Sequence, residues 1–566
     1  MDIQKILSAA RGDSEAEVLL KNGKVVNTFT GEVEEENVAI SGGRVVGVGD
    51  YHQGREIIDL QGKYLIPGLI DGHIHLESSH LTPAEYARAV VPRGVLAVVT
   101  DFHEIANVCG IAGIKYMLNC ARNLPLDVFG MAPSCVPATD LETSGARLGA
   151  QELTQVMEME NIIGLGEMMN FPGVMFGDAE VWNKLELFRG KRIDGHSPGL
   201  AGKNLNAYLT GGIFSDHECT TFEEAQEKLR RGMYIMIREG SSEKNLDALL
   251  PLVTDQTFGR CFFVVDDRSC TDLLWYGDVD DVVRKAIEKG LDPVRAIQMA
   301  TINTAEYFQL ADLGAVAPGY RANLAVLSDL TKVKTDMVFY NGQLVARDSK
   351  MTGSPQKVDS GEVTGTVNIK PFSIEELRMP AKGKKALVME IVPGQILTKK
   401  VEEEVKVGNG FVQPDIDRDI LKAAVVERHK ATGNIGLGLV KGFGLKRGAL
   451  ASSIAHDSHN IVAVGTSDED IFAAIKELER IQGGIAVVAD GKVLDSLALP
   501  LAGLISEEPL ETVSQEFEEI YTAAKSLGDL PAAPFALLSF LALPVIPELR
   551  LTDLGLVDVL AFKLLE

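Results

Sequence analysis

The order of apolar and polar positions divides the chain into three stretches. From residue 1 to about 66, short alternating runs are cut by Gly-rich turns, as in EVLLKNGKVVNTFTGEVEEENVAISGGRVVGVG, which predicts a small β-domain. The same alternation returns at APGYRANLAVLSDL and TDMVFYNGQLVA, so residues 1–66 and 313–350 are expected to share one sheet, split in sequence by an insert. That insert, 67–312, carries eight apolar runs: GLIDGHIH, VLAVVTDFHE, LDVFGMAPS, IIGLGE, RIDGH, GIFSDHE, YIMIREG and FFVVDDR. Strands alternating with helical segments predict an α/β fold, a closed (β/α)8 TIM-like barrel. Helix starts are legible between the runs. Thr82-Pro83-Ala84-Glu85 reads as a capping box with proline at the first helical position, and Asp292-Pro293 opens VRAIQMATINTAEYF in the same way. Residues 351–370, polar with Gly, Ser and Pro, read as a linker. Beyond it, 371–566 mixes strands (IAVVADGKVLDSL) with helices (DEDIFAAIKELERIQ), a C-terminal α+β domain.

Composition narrows the function classes. A formal charge of −25 repels nucleic-acid phosphates and anionic membranes and suits a small neutral or cationic substrate. The six cysteines form no CxxC pair, so reduced thiols in a cytoplasm are expected rather than a disulfide framework or a thiolate metal site. The opening MDIQKILSAARGD has no apolar leader core, and the apolar run from Pro534 to Ile546 is too short to span a bilayer. FALLSFLALPVIPEL is free to pack internally or between chains, which leaves a homo-oligomer open.

The chemistry lies at the ends of the runs. Seven of ten histidines precede residue 218. His73 and His75 end the first run; Asp101, His103 and Glu104 the second; Glu167 the fourth; His196 the fifth; His217 the sixth; Glu239 the seventh; Asp266 and Asp267 the eighth. In such a barrel the C-terminal strand ends converge on one mouth. His73 and His75, two apart on a strand, point the same way and can hold one metal side by side. Glu167 ends an apolar run, where a carboxylate is costly to bury unpartnered; it is read as bridging two cations in preference to orienting a ligand. Asp266 is the candidate for moving a proton from a metal-activated hydroxide to the leaving group, while one member of the Asp266–Asp267 pair is expected to face a helix. Without basic clusters or a P-loop nearby, a phosphorylated substrate is disfavoured.

PGLIDGHIH, one His each at the fifth and sixth strands, and Asp at the eighth resemble the amidohydrolase superfamily. DGHIHLESS, DFHEIANVCG, GLGEMMNFPGV, DGHSPGL, SDHE, VVDDR and KATGNIGLGLVKGFGLKRGALASSIAHDSHNI resemble, more narrowly, its adenine deaminase family, over nearly the whole chain. The resemblance implies hydrolytic deamination of adenine to hypoxanthine and ammonia, in adenine catabolism or purine salvage. It implies a binuclear centre of manganese, iron or zinc held by His73, His75, His196, His217 and Asp266, with Glu167 bridging. Glu167 stands where many members of the superfamily carry a carboxylated lysine, and Phe102 stands where the family's second-strand motif has proline. His103 and Glu239, with Asp266, are the catalytic candidates; Asp101, Glu104 and Glu77 are candidates for the purine, with Ser78 and Ser79 at the same mouth. His456 and His459 are read as a hydrogen-bonded turn of the third domain rather than as metal contacts.

Two other readings remain at this stage. Another amidohydrolase, a deacetylase or amidase, would share the metal residues but not DFHEIANV and AHDSHNI. A non-catalytic scaffold would be expected to have lost metal residues, and the full set is here.

Overall fold

The computed structural model describes residues 3–353, 358–393 and 395–565. Eight parallel strands form a barrel, named here in order: Leu69–Ile74, Val95–Asp101, Asp127–Ala132, Ile162–Met168, Arg192–Gly195, Ser215–Asp216, Tyr234–Arg238 and Cys261–Val264. The first five pair in sequence order in one sheet and the last three in another. The seam between the eighth and first strands closes through the Ile74–Asp266 bridge, where His75 N–H donates to the Asp266 carbonyl (2.8 Å) and Asp266 N–H to that of His73 (2.9 Å). Between the fifth and sixth, Gly195 N–H donates to Ser215 Oγ (3.2 Å).

Side-chain alternation explains what fills the barrel and what crowns it. Ala97 and Val99, Phe129 and Met131, Met236, and Phe262 and Val264 pack into one buried interior cluster, with Ile163 against it. Residues two further along a strand share its face. Asp101 therefore follows Val99 inward, Glu167 follows Ile163 four residues on, and Arg238 follows Met236. Truncating a ring such as Phe262, wholly buried here, costs about 3–5 kcal/mol through lost burial and the cavity left behind.

The outer helices begin largely where the sequence indicates. Thr82 caps Pro83–Val90, its hydroxyl accepting Glu85 N–H at 3.4 Å. Glu85 does not close the expected box; its carboxylate accepts from Arg88 and from Leu510 N–H (2.9 Å), tying the barrel to the C-terminal domain. Asp292 caps Pro293–Met299, but the single helix expected there is two, resuming at Ile302–Phe308 after non-helical Thr301, whose hydroxyl bonds back to the Ile297 carbonyl at 2.6 Å.

A nine-stranded sheet joins the two sequence-distant β stretches: Tyr64–Pro67 lies between Ala16–Val26 and Leu324–Asp329, pairing Leu65 with Val326. Of the expected linker, residues 354–357 lie outside the described residues. Val363 within it is buried in the barrel's outer core and its carbonyl accepts Ala502 N–H at 2.6 Å, so this part is packed rather than loose. The C-terminal domain is built on an eight-stranded sheet with helix Asp468–Ile481 on one face and Leu510–Lys525 and Pro534–Phe540 on the other. It docks over the barrel mouth: Ser506 N–H donates to the His80 carbonyl (2.9 Å) and Asn460 Nδ2 to that of Thr143 (2.8 Å). The run at Pro534 gives a short helix, and no described helix is long and apolar enough to cross a membrane.

Candidate metal centre

Glu167 lies at the middle of the mouth and divides four imidazoles into two pairs. Its Oε1 faces His75 Nε2 (3.1 Å) and His73 Nε2 (3.8 Å); its Oε2 faces His196 Nδ1 (2.7 Å) and His217 Nε2 (3.2 Å). Asp266 Oδ1 completes the first pair, 3.3 Å from His73 Nε2 and 3.2 Å from His75 Nε2. Glu218 approaches the second, its Oε1 3.4 Å from His217 Nε2 and 3.8 Å from His196 Nδ1. The six residues named from sequence as ligands therefore meet in one place.

Backbone contacts hold them there. Asp71 Oδ1 accepts the N–H groups of His73 (3.2 Å) and Val265 (3.3 Å), fixing the first strand to the eighth. Asp101 accepts His103 N–H (3.1 Å) and Glu167 N–H (2.9 Å). Gly166 is required at that contact, because a Cβ there would collide with the Asp101 carboxylate. Tyr208 Oη accepts His196 N–H (3.1 Å) and donates to the Met168 carbonyl (2.9 Å). Lys228, fully buried, joins Asp216 (3.1 Å) beneath His217.

The donor set fits divalent cations. His75 Nδ1 donates to the Asp101 carbonyl (3.2 Å), which leaves Nε2 with its lone pair toward the cluster, the tautomer a metal needs. His73 Nε2, the ring nitrogen that faces the cluster, is buried without a hydrogen-bond partner. Imidazole nitrogens and carboxylate oxygens converge there as acceptors, and a cation is what such a group lacks. Burial pushes the carboxyls of Glu167 and Asp266 up, but the positive and hydrogen-bonding groups around them, His217, His196 and His75 for the first and His73, His75 and Arg238 for the second, outweigh it and hold both well below the usual carboxylate range.

Several sequence expectations are corrected here. Glu239 does not reach the cluster: Oε1 pairs with Lys285 Nζ (3.1 Å) and Oε2 accepts Leu246 N–H (3.4 Å). The inward position on that strand belongs to Arg238, whose Nη1 donates to Asp266 Oδ2 (2.6 Å) and meets Glu218. Asp101, expected at the purine, lies beneath the cluster with its oxygens on backbone N–H groups. Asp267 does not face a helix. Asp266 adopts a left-handed backbone (φ 63°), which breaks the alternation and turns Asp267 toward the cavity, where Ser78 Oγ donates to it. His456 and His459 are more than a turn of their own domain: both contact Glu104.

His103 stands beside the cluster, its ring 4.5 Å from that of His75, with Nδ1 3.5 Å from Glu167 Oε1 and Nε2 3.3 Å from Glu104 Oε1. Next to it opens a cavity of about 590 Å³ between barrel and C-terminal domain, lined by Glu77, Glu104 and Asp267 on one side and His456, Phe517 and Phe540 on the other. Glu77 Oε1 accepts Ile105 N–H (3.1 Å) while Oε2 has no partner, and burial pushes its carboxyl up to about 7. Sequence reasoning missed Glu218 and Arg238. Glu218 was visible in SDHE, and Arg238 follows from counting two positions on from Met236.

Known proteins match over the whole length. The model of the amidohydrolase family matches residues 64–345, and that of the adenine deaminase C-terminal domain matches 395–563. An adenine deaminase of Dehalococcoides mccartyi is 57% identical over 100% of this chain and 99% of its own. Adenine deaminase 2 of Carboxydothermus hydrogenoformans is 51% identical over 99% of this chain and 98% of its own. The adenine deaminase of Clostridium acetobutylicum is 46% identical, with 100% of both chains covered.

Proposed function

This chain belongs to the adenine deaminases of the amidohydrolase family, hydrolases acting on a C–N bond that convert adenine and water to hypoxanthine and ammonia, and we propose that the reaction runs at the cluster around Glu167 with two divalent cations. The observation that carries this reading is the division of the Glu167 oxygens between two histidine pairs. His73, His75 and Asp266 would hold one cation and His196 and His217 the other, with Glu167 between them; manganese, iron and zinc all suit such donors. When bound, the cations lower the pKa of a coordinated water to about 7 and so supply hydroxide at neutral pH.

The remaining chemistry falls to side chains. Both protons of the consumed water end on substrate nitrogens, one on the departing amino group and one on ring N1. Asp266 Oδ1, the oxygen not held by Arg238, faces the centre and is placed to take a proton and return it to the amino nitrogen. His103 stands between the cluster and the cavity, where it can serve ring N1. Glu77, Glu104 and Asp267 offer carboxylate oxygens to the N–H groups of the base, and Phe540 and Phe517 give it an apolar wall. A cytoplasmic place in adenine breakdown or salvage fits the six free, mostly buried cysteines.

The test is ammonia release by the purified, metal-loaded protein from adenine and from adenosine, beside acetate release from an N-acetylated amino sugar. Release from adenine alone is expected; turnover of the sugar without adenine turnover would refute the reading.

A further inference from the structure

We propose that His459 and His456, supplied by the C-terminal domain, are positioning residues that fix the Glu104 carboxylate at the substrate cavity, so that the barrel alone is an incomplete active site. This rests on the reading that the cavity takes the purine.

Glu104 opens helix His103–Ala121, with its buried side chain turned toward the other domain. Three imidazoles lie against its two oxygens. Oε1 lies 2.7 Å from His456 Nδ1 and 3.3 Å from His103 Nε2, and Oε2 contacts His459 Nε2. Two of the three come from residues more than 350 positions away in sequence, in AHDSHN.

The protons on His459 can be assigned. Its Nδ1 accepts Ala455 N–H (3.3 Å), so the ring proton sits on Nε2, the nitrogen that lies against Glu104 Oε2. A neutral imidazole that accepts at Nδ1 and carries its proton on Nε2 has no lone pair left for a metal. That separates this cluster from the one at Glu167, where His75 Nδ1 donates to a carbonyl and leaves Nε2 free to ligate. Burial pulls the His459 pKa down to about 4, in keeping with a neutral ring.

The loop that presents His459 is itself clamped. His459 N–H donates to the Ala455 carbonyl (2.7 Å). Arg428, fully buried, donates through Nε to the His459 carbonyl, through Nη2 to that of Ala502 (2.8 Å) and through Nη1 to Thr366 Oγ1 (3.2 Å); no salt bridge to it is seen among the described residues. Burying a guanidinium on carbonyls and a hydroxyl is costly, and this one is spent on the His459 loop. His456 is steadied differently, its ring stacked on Phe540 with centroids 5.0 Å apart and planes 20° apart. With Nδ1 on Glu104, its Nε2 is the ring nitrogen left for a ligand in the cavity it lines. Fixing a carboxylate from several sides keeps it in one orientation before substrate arrives, which is what positioning contributes to catalysis.

The experiment compares H459L and H459Q with wild type as full-length, metal-loaded protein, measuring kcat and KM for adenine, metal content and thermal unfolding. Leucine keeps bulk and removes the N–H; glutamine can return an amide N–H close to the imidazole Nε2 position. Loss of the partner that orients a functional group costs about 10–100-fold in activity, and that loss of kcat/KM is expected for H459L at unchanged metal content, with most of it recovered in H459Q. Three results would overturn the proposal: wild-type kcat/KM in H459L, equal loss in both variants, or loss of a metal equivalent in H459L. A wild type that fails to deaminate adenine would remove the functional reading and this inference with it, whereas an active wild type beside an indifferent H459L removes only the inference.

Discussion

Arg238 Nη1 donates to Asp266 Oδ2 at 2.6 Å, which leaves Asp266 with one oxygen toward His73 and His75. The same nitrogen meets Glu218, so one buried guanidinium compensates two carboxylates beside the centre. Removing one partner of a buried ion pair costs about 3–5 kcal/mol, because the other charge is left uncompensated. Arg238→Met is expected to lower the unfolding free energy by about that amount and to impair turnover severely. Arg238→Lys, which keeps the charge but not the fork, should lie between it and wild type. Denaturant melts together with kcat check this; an Arg238→Met protein with wild-type stability and activity would refute the role.

Glu167 should be irreplaceable even by its own amide. In Glu167→Gln one oxygen becomes NH2, which cannot ligate, and the charge shared by both histidine pairs is gone. One metal equivalent should be lost or weakly held and turnover should fall far below wild type. His73→Ala and His196→Ala, one from each pair, should each abolish turnover in a folded protein and reduce metal content. Metal analysis beside circular dichroism decides it, and full metal with undiminished activity in Glu167→Gln would exclude bridging.

Asp266 and Asp267 separate by chemistry although they are neighbours. Asp266→Asn keeps an oxygen that can coordinate weakly but cannot accept a proton at neutral pH. General acid–base assistance is worth about 10²–10⁴-fold, and kcat should fall by at least that order with much of the metal retained. Asp267, bonded by Ser78 Oγ at the cavity, should act on the substrate, so Asp267→Asn should raise KM more than it lowers kcat. The reverse pattern would exchange the two roles.

What the sequence made legible follows from local rules. Strand-end histidines and Glu167 were readable because side-chain alternation and the barrel's geometry both point them to one mouth. Glu239 was misplaced because a strand end was located one residue late, and a shift of one flips the face; Arg238 was hidden by the same slip. Asp267 was misread because alternation fails at the left-handed Asp266, a conformation that sequence pattern does not encode. The role of His456 and His459 was out of reach because it depends on docking between domains, and no local periodicity carries that contact.

The central claim, that two cations at the Glu167 cluster carry adenine deamination, is tested most directly by titrating metal-free protein with manganese, iron or zinc while measuring ammonia release from adenine. The account expects activity to rise with metal added and to level off at two equivalents per chain, with His196→Ala inactive at the same loading. Full activity in the metal-free protein, or a plateau reached at one equivalent, would contradict it.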